Sequence, residues 1–303
     1  MAKIQTPAME KLAKRNATYG KKHCASTPGQ EAWKRLRKNK LAMVGMGILV
    51  VLILCAIFAP IIIPYEYDYQ DYDAFLQGPS ADHWFGTDNF GRDIFSRCIY
   101  GTRYSLPIGI ISILISSIVG GTFGAIAAYY GGKADMLIMR FMDIYQSIPN
   151  MLLAIAIAAA IGASMRNLII AIALGTLPVY ARVVRGALLT VKQKEYIEAS
   201  RAIGATTKRQ IILHMLPNCL GPIIVQMTFS VAAAILTASS LSFLGLGISA
   251  PAPEWGSMLN AGKQFLQTNP HMLIFPGLMI SITVLSLNLF GDGLRDALDP
   301  KLK

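Results

Sequence analysis

Charged residues are scarce in this sequence and are absent from long stretches of it. Asp, Glu, Lys and Arg make up 15% of the 303 residues, whereas a soluble domain carries about 25%. The stretches without any of them are 104–132, 144–165, 210–253 and 264–291. A helix needs about 20 consecutive apolar residues to cross a bilayer, and each stretch reaches that length. A soluble helical protein is disfavoured, because soluble helices show a polar face.

The apolar stretches predict an all-α membrane protein with six transmembrane helices. The expected spans are 41–63, 104–130, 136–161, 167–190, 218–247 and 271–291. The corresponding organisation is a basic cytoplasmic tail (1–40), an anchor helix (41–64), an extracytoplasmic segment (65–102), a five-helix core (103–291) and a C-terminal cytoplasmic tail (292–303). The first apolar run is too long for a cleaved signal peptide and begins far from the N-terminus, so we expect it to remain in the membrane.

Basic residues are distributed unevenly between the two predicted sides of the membrane. Residues 1–40 contain eleven Lys and Arg and only two Glu. With the N-terminus inside, the outer segments 65–102, 162–166 and 248–270 contain four basic residues, and the inner segments contain 23. The positive-inside rule then predicts that both termini are cytoplasmic. The net charge of +11 is typical here of a membrane flank rather than of nucleic-acid binding.

Several kinds of reactive site are missing from the sequence. The four histidines have no metal-ligand spacing, the four cysteines fall in separate regions, and no phosphate-binding loop is complete. The centres of the six predicted spans carry no charge, which disfavours a proton-coupled or ion-coupled transporter. We therefore expect no metal, no cofactor, no disulfide and no ATP hydrolysis in this chain.

Two loops look more ordered than simple connections. In the acidic outer segment, residues 87–100 predict a short amphipathic helix capped by Thr87 or Asp88. On the inner side, helix-forming residues continue to Ile203, Gly204 interrupts them, and a second amphipathic stretch precedes a fifth span that begins at Pro217. Two short helices hinged at a glycine make a projection that a partner could bind. Two helices lying flat on the membrane fit the pattern equally well.

The inner loop resembles the signature of ABC-importer permeases, in which Glu-Ala-Ala is followed after three residues by Gly and after nine more by Ile-x-Leu-Pro. Here Glu198-Ala199-Ser200 is followed by Gly204 and then by His-Met-Leu-Pro at 214–217. Residues 83–106 look like the Phe-Gly-Thr-Asp-x-x-Gly-Arg-Asp segment of peptide-type permeases, and 241–262 and 296–303 look like their later loop and C-terminus. Over about residues 31–303 the chain is similar to the C-type permease subunit of the oligopeptide/dipeptide/nickel importers.

This resemblance implies a type I ABC importer permease fold in a bacterial inner membrane. It implies a heterodimer with a second homologous permease, two ATPase subunits that hydrolyse ATP on the cytoplasmic face, and an extracytoplasmic substrate-binding protein. It assigns contact with an ATPase to Glu198, Ala199, Ser200, Gly204 and Ala205, in a coupling loop at 191–217. Closure of the ATPases then moves the coupling helices and opens the pathway outward.

The outer segments have two possible roles. We predict that 82–100 and 248–262 form a rim that contacts the binding protein or the second permease, through Asp88, Arg92, Asp93 and Trp255. The alternative is that these side chains only brace the loop.

Peptides are the expected substrate, as either oligopeptides or dipeptides. A nickel or other small-solute permease of the same family stays open as an alternative, and so does a secondary transporter or channel that needs no ATPase. Co-purification with ATPase subunits and a second permease would separate the last alternative from the first two.

Overall fold

The computed structural model describes residues 28–299, and these residues form helices joined by short loops. The only β-pairing among them is an isolated antiparallel bridge between Thr87 and Asp93. The expectations for most of the N-terminal tail, including Cys24, and for the last four residues lie outside the described residues.

The helices are numbered in chain order, and their bounds are as follows: α1 Pro28–Leu36, α2 Lys40–Ile62, α3 Ile94–Tyr130, α4 Gly132–Gln146, α5 Asn150–Ile161, α6 Met165–Lys192, α7 Glu195–Ala202, α8 Thr207–Phe243, α9 Trp255–Gly262 and α10 His271–Leu298. Asn39 begins α2, because its side chain accepts a hydrogen bond from the backbone N–H of Ala42 at 3.2 Å.

Five of the helices, α2, α3, α6, α8 and α10, are long and apolar enough to span a membrane. The predicted third span is different, because α4 and α5 meet at a 79° bend. With 15 and 12 residues, each is about 18–23 Å long, which is less than a hydrocarbon core of about 30 Å. The break falls at Pro149, directly before α5, where proline disfavours a helical conformation of the preceding residue.

Three helices run past their predicted ends. Helix α3 begins at Ile94, ten residues before the predicted span, and α10 continues to Leu298 through part of the predicted tail. The regular α-helix of the fifth span begins at Leu216 with Pro217 in its first turn, as predicted, but a π-helical turn at Gln210–Met215 continues it back to Thr207, so α8 as a whole starts earlier. At 37 residues each, α3 and α8 are about 55 Å long and extend well beyond the apolar thickness of a bilayer.

Small residues let α3 and α6 pack closely at the centre of the bundle. A Cβ atom at Gly120 would lie 2.4 Å from the carbonyl oxygen of Leu177, and one at Gly124 would lie 2.2 Å from that of Ala181. The intervening Tyr180 is fully buried. The small-xxx-small pattern in the second span therefore serves helix packing, as its residue types suggest.

The loops gather at two opposite ends of the bundle. The outer end, as we name it, carries residues 63–93, 162–164 and 244–270, and it contains all three segments predicted to face outward. The inner end carries the ends of α3 and α6 together with residues 193–206, and α1 packs there against α10 through Leu36 and Ala297. The grouping expected from the distribution of basic residues is thus present in the fold.

Candidate functional sites at the two ends of the bundle

The inner loop contains one helix and one glycine turn. Helix α7 ends at Ala202, and Gly204 follows with a φ of +79°. No heavy atom lies within 4 Å of the position that a Cβ atom would take there. The glycine is therefore required by the left-handed backbone and not by crowding. The predicted hinge is present, but the second helix is the continuous start of α8 rather than a separate short helix.

One face of α7 packs against the bundle, and the opposite face is exposed. Ile197 is buried in an apolar cluster with Leu188 of α6 and Met215 of α8. Glu198 and Ala199 are exposed on the far side. The predicted coupling residues thus divide into exposed members (Glu198, Ala199 and Gly204), a half-buried Ala205 and a buried Ser200. The signature's third position contributes to packing of the loop.

Ile203 is the most exposed apolar side chain of the inner loop, and the sequence did not single it out. It is 86% exposed, and Tyr196 is 45% exposed. Burial also raises the pKa of the Tyr196 hydroxyl. Isolated apolar residues on a surface are common, but these two flank the exposed signature residues. Together they form the tip of the inner loop, which we define as Tyr196, Glu198, Ala199, Ile203 and Gly204.

Two polar side chains hold this tip in place. The buried Gln210 accepts a hydrogen bond from the Tyr129 hydroxyl at 3.1 Å and donates one to the carbonyl of Ala205 at 2.8 Å. Lys192 donates to the carbonyls of Ala128 and Tyr129 at 3.0 and 2.7 Å. These carbonyls lie in the last turn of α3, where no intrahelical partner is available. These hydrogen bonds connect the residues that flank the tip to the inner end of α3.

A π-helical turn at Gln210–Met215 lies between the tip and the rest of α8. Such turns are rare and occur often at functional sites. Its first residue, Gln210, is 1% exposed, and its last, Met215, is fully buried. Both side chains therefore face the bundle, in a stretch where the sequence pattern predicts only an amphipathic helix.

At the outer end, the side chain of Asp93 caps α3. One of its carboxylate oxygens accepts hydrogen bonds from the backbone N–H and the hydroxyl of Ser96, both at 2.7 Å. The other lies 3.0 Å from Nδ1 of His83. The expected cap at Thr87 or Asp88 is wrong, because α3 starts one residue after Asp93.

Asp88 is the centre of a buried ion cluster. Its Oδ2 lies 2.8 Å from Nε of Arg92 and 3.7 Å from Nε of Arg97. Its Oδ1 accepts the backbone N–H groups of Phe90 and Arg92 at 2.8 and 3.0 Å. Arg97 also donates to the carbonyls of Tyr67 and Pro251, so the cluster joins both outer segments.

The second outer segment packs against α3 through Trp255. This side chain is fully buried, and its Nε1 donates to the carbonyl of Cys98 at 3.0 Å. The preceding Glu254 is also fully buried and caps α9 by accepting the N–H groups of Gly256 and Ser257 at 2.9 and 2.8 Å. Burial raises the pKa of the Glu254 carboxyl, while those hydrogen bonds oppose the shift.

The structure thus places all four predicted rim residues in the interior of the outer end. Asp88, Arg92, Asp93 and Trp255 are each at most 6% exposed, and each contacts atoms of this chain. They fit the bracing role that was the alternative, and contact with a partner stays a prediction. The aromatic side chains that are exposed at this end are different ones, namely Tyr69, Tyr72, Phe75, Trp84 and Phe90.

Two ion pairs connect α4 to the inner half of α6. Arg185 binds Asp135 through two parallel contacts of 2.5 and 2.6 Å, and Arg182 contacts Asp143 at 2.8 Å. These charges near the inner ends of the spans therefore pair between helices. Among residues 28–299, no three His, Cys, Asp or Glu side chains lie together as a potential metal site.

Comparison with known sequences identifies the protein family. Residues 120–303 match the model for the binding-protein-dependent transport system inner membrane component, and residues 27–79 match the N-terminal transmembrane domain of oligopeptide transport permease C. The dipeptide transport system permease protein DppC of Alkalihalophilus pseudofirmus is 50% identical over 281 residues, which cover 93% of this chain and 92% of the relative. The glutathione transport system permease protein GsiD of Pectobacterium atrosepticum is 46% identical over 278 residues, with 91% and 92% coverage.

Comparison with solved structures gives the same architecture. A chain of the MetNI methionine ABC transporter in an inward-facing conformation aligns with a TM-score of 0.57 and 20% sequence identity, covering 68% of this chain and 98% of the other. Likeness at this identity concerns the fold. It confirms the predicted fold class, an all-helical type I importer permease.

Proposed function

The chain belongs to the family of binding-protein-dependent transport system inner membrane components, and we propose that it forms half of the translocation pathway of an ABC importer for short peptides. The match to a dipeptide permease at 50% identity over nearly the whole chain is the observation that carries the proposal. A glutathione permease at 46% identity points to the same substrate class, because glutathione is itself a short peptide.

The family also supports a set of partners. A binding-protein-dependent permease receives its substrate from a binding protein, which would dock at the outer end. A second, homologous permease would complete the pathway, and two ATPase subunits would bind at the inner end and hydrolyse ATP. In this arrangement the chain carries out no covalent chemistry, and it lies in the inner membrane with both termini in the cytoplasm.

Contact with an ATPase subunit is assigned to the tip of the inner loop. Its exposed Glu198 is available to pair with a basic group, and Ala199 permits close approach of a groove wall. The exposed Ile203 adds apolar area that a groove would bury, at about 25 cal/mol per Å². Because Gln210 and Lys192 connect the loop to α3, α6 and α8, a displacement of the tip is transmitted to three helices of the pathway.

Replacement of Gly204 tests the coupling role. Gly204→Val places a β-branched residue at a φ of +79°, which costs about 1–2 kcal/mol or more in a left-handed conformation. Gly204→Asn is the matched control, since asparagine tolerates this conformation. We expect normal membrane levels for both variants, loss of peptide uptake for Gly204→Val alone, and ATPase subunits that detach or hydrolyse ATP without transport. Normal coupled uptake by Gly204→Val would remove the loop from the coupling mechanism.

The substrate class is tested by uptake in cells. A strain that lacks this gene should lose uptake of radiolabelled dipeptides and recover it with the wild-type copy. Unchanged dipeptide uptake in the deletion strain, with no other peptide permease present, contradicts the proposed substrate.

A further inference from the structure

A polar cavity of about 250 Å³ lies at the outer end, between the ion cluster and the loop that follows α8. Its lining combines Arg92 and Arg97 of the first outer segment with Ser249, Ser257 and Asn260 of the second. Ala163, from the turn between α5 and α6, closes another side. Residues from all three outer segments line the cavity, so no single segment forms it alone.

The charged side chains that line the cavity are both positive. Both arginines are 95% or more buried, and no Asp or Glu side chain is among the lining residues. Asp88 contacts both guanidinium groups, so the two buried guanidinium groups share one contacting carboxylate. Two buried positive charges with a single such partner are costly, and an anionic group in the cavity would offset this cost.

Arg92 retains hydrogen-bond donors for such a group. Its Nε is used by Asp88, and its guanidinium lies 4.6 Å from the centre of the Phe90 ring. Among the contacts of residues 28–299, neither terminal nitrogen of Arg92 has a hydrogen-bond partner. A guanidinium presents a planar pair of donors that matches the two oxygens of a carboxylate.

We propose that this cavity binds the terminal carboxylate of a peptide on its way into the pathway. The proposal rests on the proposed function, because a free carboxyl terminus is the anionic group that all unmodified peptides share. Arg92 binds the carboxylate, and Ser249, Ser257 and Asn260 supply neutral hydrogen-bonding groups around it. The volume fits a terminal residue or a very short peptide, while α9 and the Trp255 packing keep the site rigid.

Variants at Ser249 and Asn260 test the site without removing the structural arginines. Ser249 is exposed and makes no hydrogen bond within residues 28–299, so its replacement leaves the fold in place. Ser249→Asp adds a negative charge to the cavity. Ser249→Asn introduces a neutral side chain of nearly the same size as aspartate. Asn260→Asp is a second variant with almost no change of shape.

The measurement is equilibrium binding of radiolabelled dialanine to the purified complex in nanodiscs, without the binding protein. We expect dialanine to bind at least about tenfold more tightly than dialanine amide, which lacks the carboxylate, since a hydrogen-bonded charge pair contributes about one such factor or more. Ser249→Asp should weaken dialanine binding much more than Ser249→Asn, which replaces the same side chain without adding a charge, and Asn260→Asp should weaken it to a degree similar to Ser249→Asp.

Equal dialanine binding by Ser249→Asp and Ser249→Asn would overturn the proposal, and so would equal binding of dialanine and its amide. Displacement of dialanine by acetate at the same concentration would also overturn it, because the cavity would then accept any small anion. Peptide uptake by wild-type cells is measured alongside. If uptake is normal and the variants do not differ, the cavity assignment fails while the proposed function stands.

Discussion

At the scale of single residues, basic side chains hold the structure together through backbone carbonyls. Lys192 donates to two carbonyls at the end of α3, and the buried Arg97 donates to carbonyls of both outer segments. Helix ends and irregular loops leave such oxygens without partners. A count of positive charges treats both residues as markers of a membrane surface, whereas their contacts make them structural.

The glycines of α3 lead to a prediction about stability. Gly124→Ala should lower the free energy of unfolding of the purified complex by about 1–3 kcal/mol, because the added methyl group collides with the carbonyl of Ala181. Gly186→Ala is the control. Its Cβ would have no neighbour within 4 Å, and alanine is favoured over glycine inside a helix. The melting temperatures of both variants are measured in the same detergent. Equal shifts from the wild-type melting temperature would show that α3 and α6 are not packed as described.

At the scale of helices, the least regular part of the bundle is the α4–α5 pair. It has a 79° bend, and two charge pairs connect α4 to α6. The Asp135–Arg185 pair is partly exposed, at 22% and 33% of its side chains. Its bidentate geometry makes it stronger than an ordinary surface pair.

Charge exchange tests this connection. Arg185→Glu places two carboxylates side by side, so hydrogen exchange over residues 132–146 should become faster. The double variant Asp135→Arg with Arg185→Glu restores opposite charges and should recover much of the protection. Exchange is measured by mass spectrometry on the purified complex. If the double variant is no better protected than the single one, α4 is held by something other than this pair.

At the scale of the whole molecule, the two ends have different characters. The outer end is internally cross-linked by ion pairs and buried aromatic side chains, while the inner end exposes a projecting tip. The outer end is thus held by contacts within the chain, whereas side chains of the inner tip are available for contact with another molecule. The long helices α3 and α8 connect the two ends directly.

The orientation of the molecule is a prediction that labelling can check. Introduced single cysteines at positions 70–80 should react in intact cells with a membrane-impermeant maleimide, and those at 205–210 should react only after the membrane is opened. The 23-to-4 distribution of basic residues is the physical reason, since positive loops stay in the cytoplasm. Labelling of cysteines at 205–210 in intact cells would contradict the predicted orientation.

The sequence by itself determined the all-helical class, the positions of five spans and the glycine turn at 204. These properties depend on local hydrophobicity and on the backbone freedom of one residue, so they can be read along the chain. The grouping of segments 65–102, 162–166 and 248–270 at one end was also available, because insertion follows the placement of charge.

Only the tertiary structure decided the roles of the polar residues. The pattern around Asp88, Arg92 and Asp93 suggested an exposed rim, but these side chains are buried among partners such as His83, which contacts Asp93, and Arg97, which contacts Asp88. The cavity beside Arg92 likewise depends on contacts between segments distant in sequence. Hydrophobic periodicity records which residues avoid water, and it does not record which polar groups meet when the helices pack.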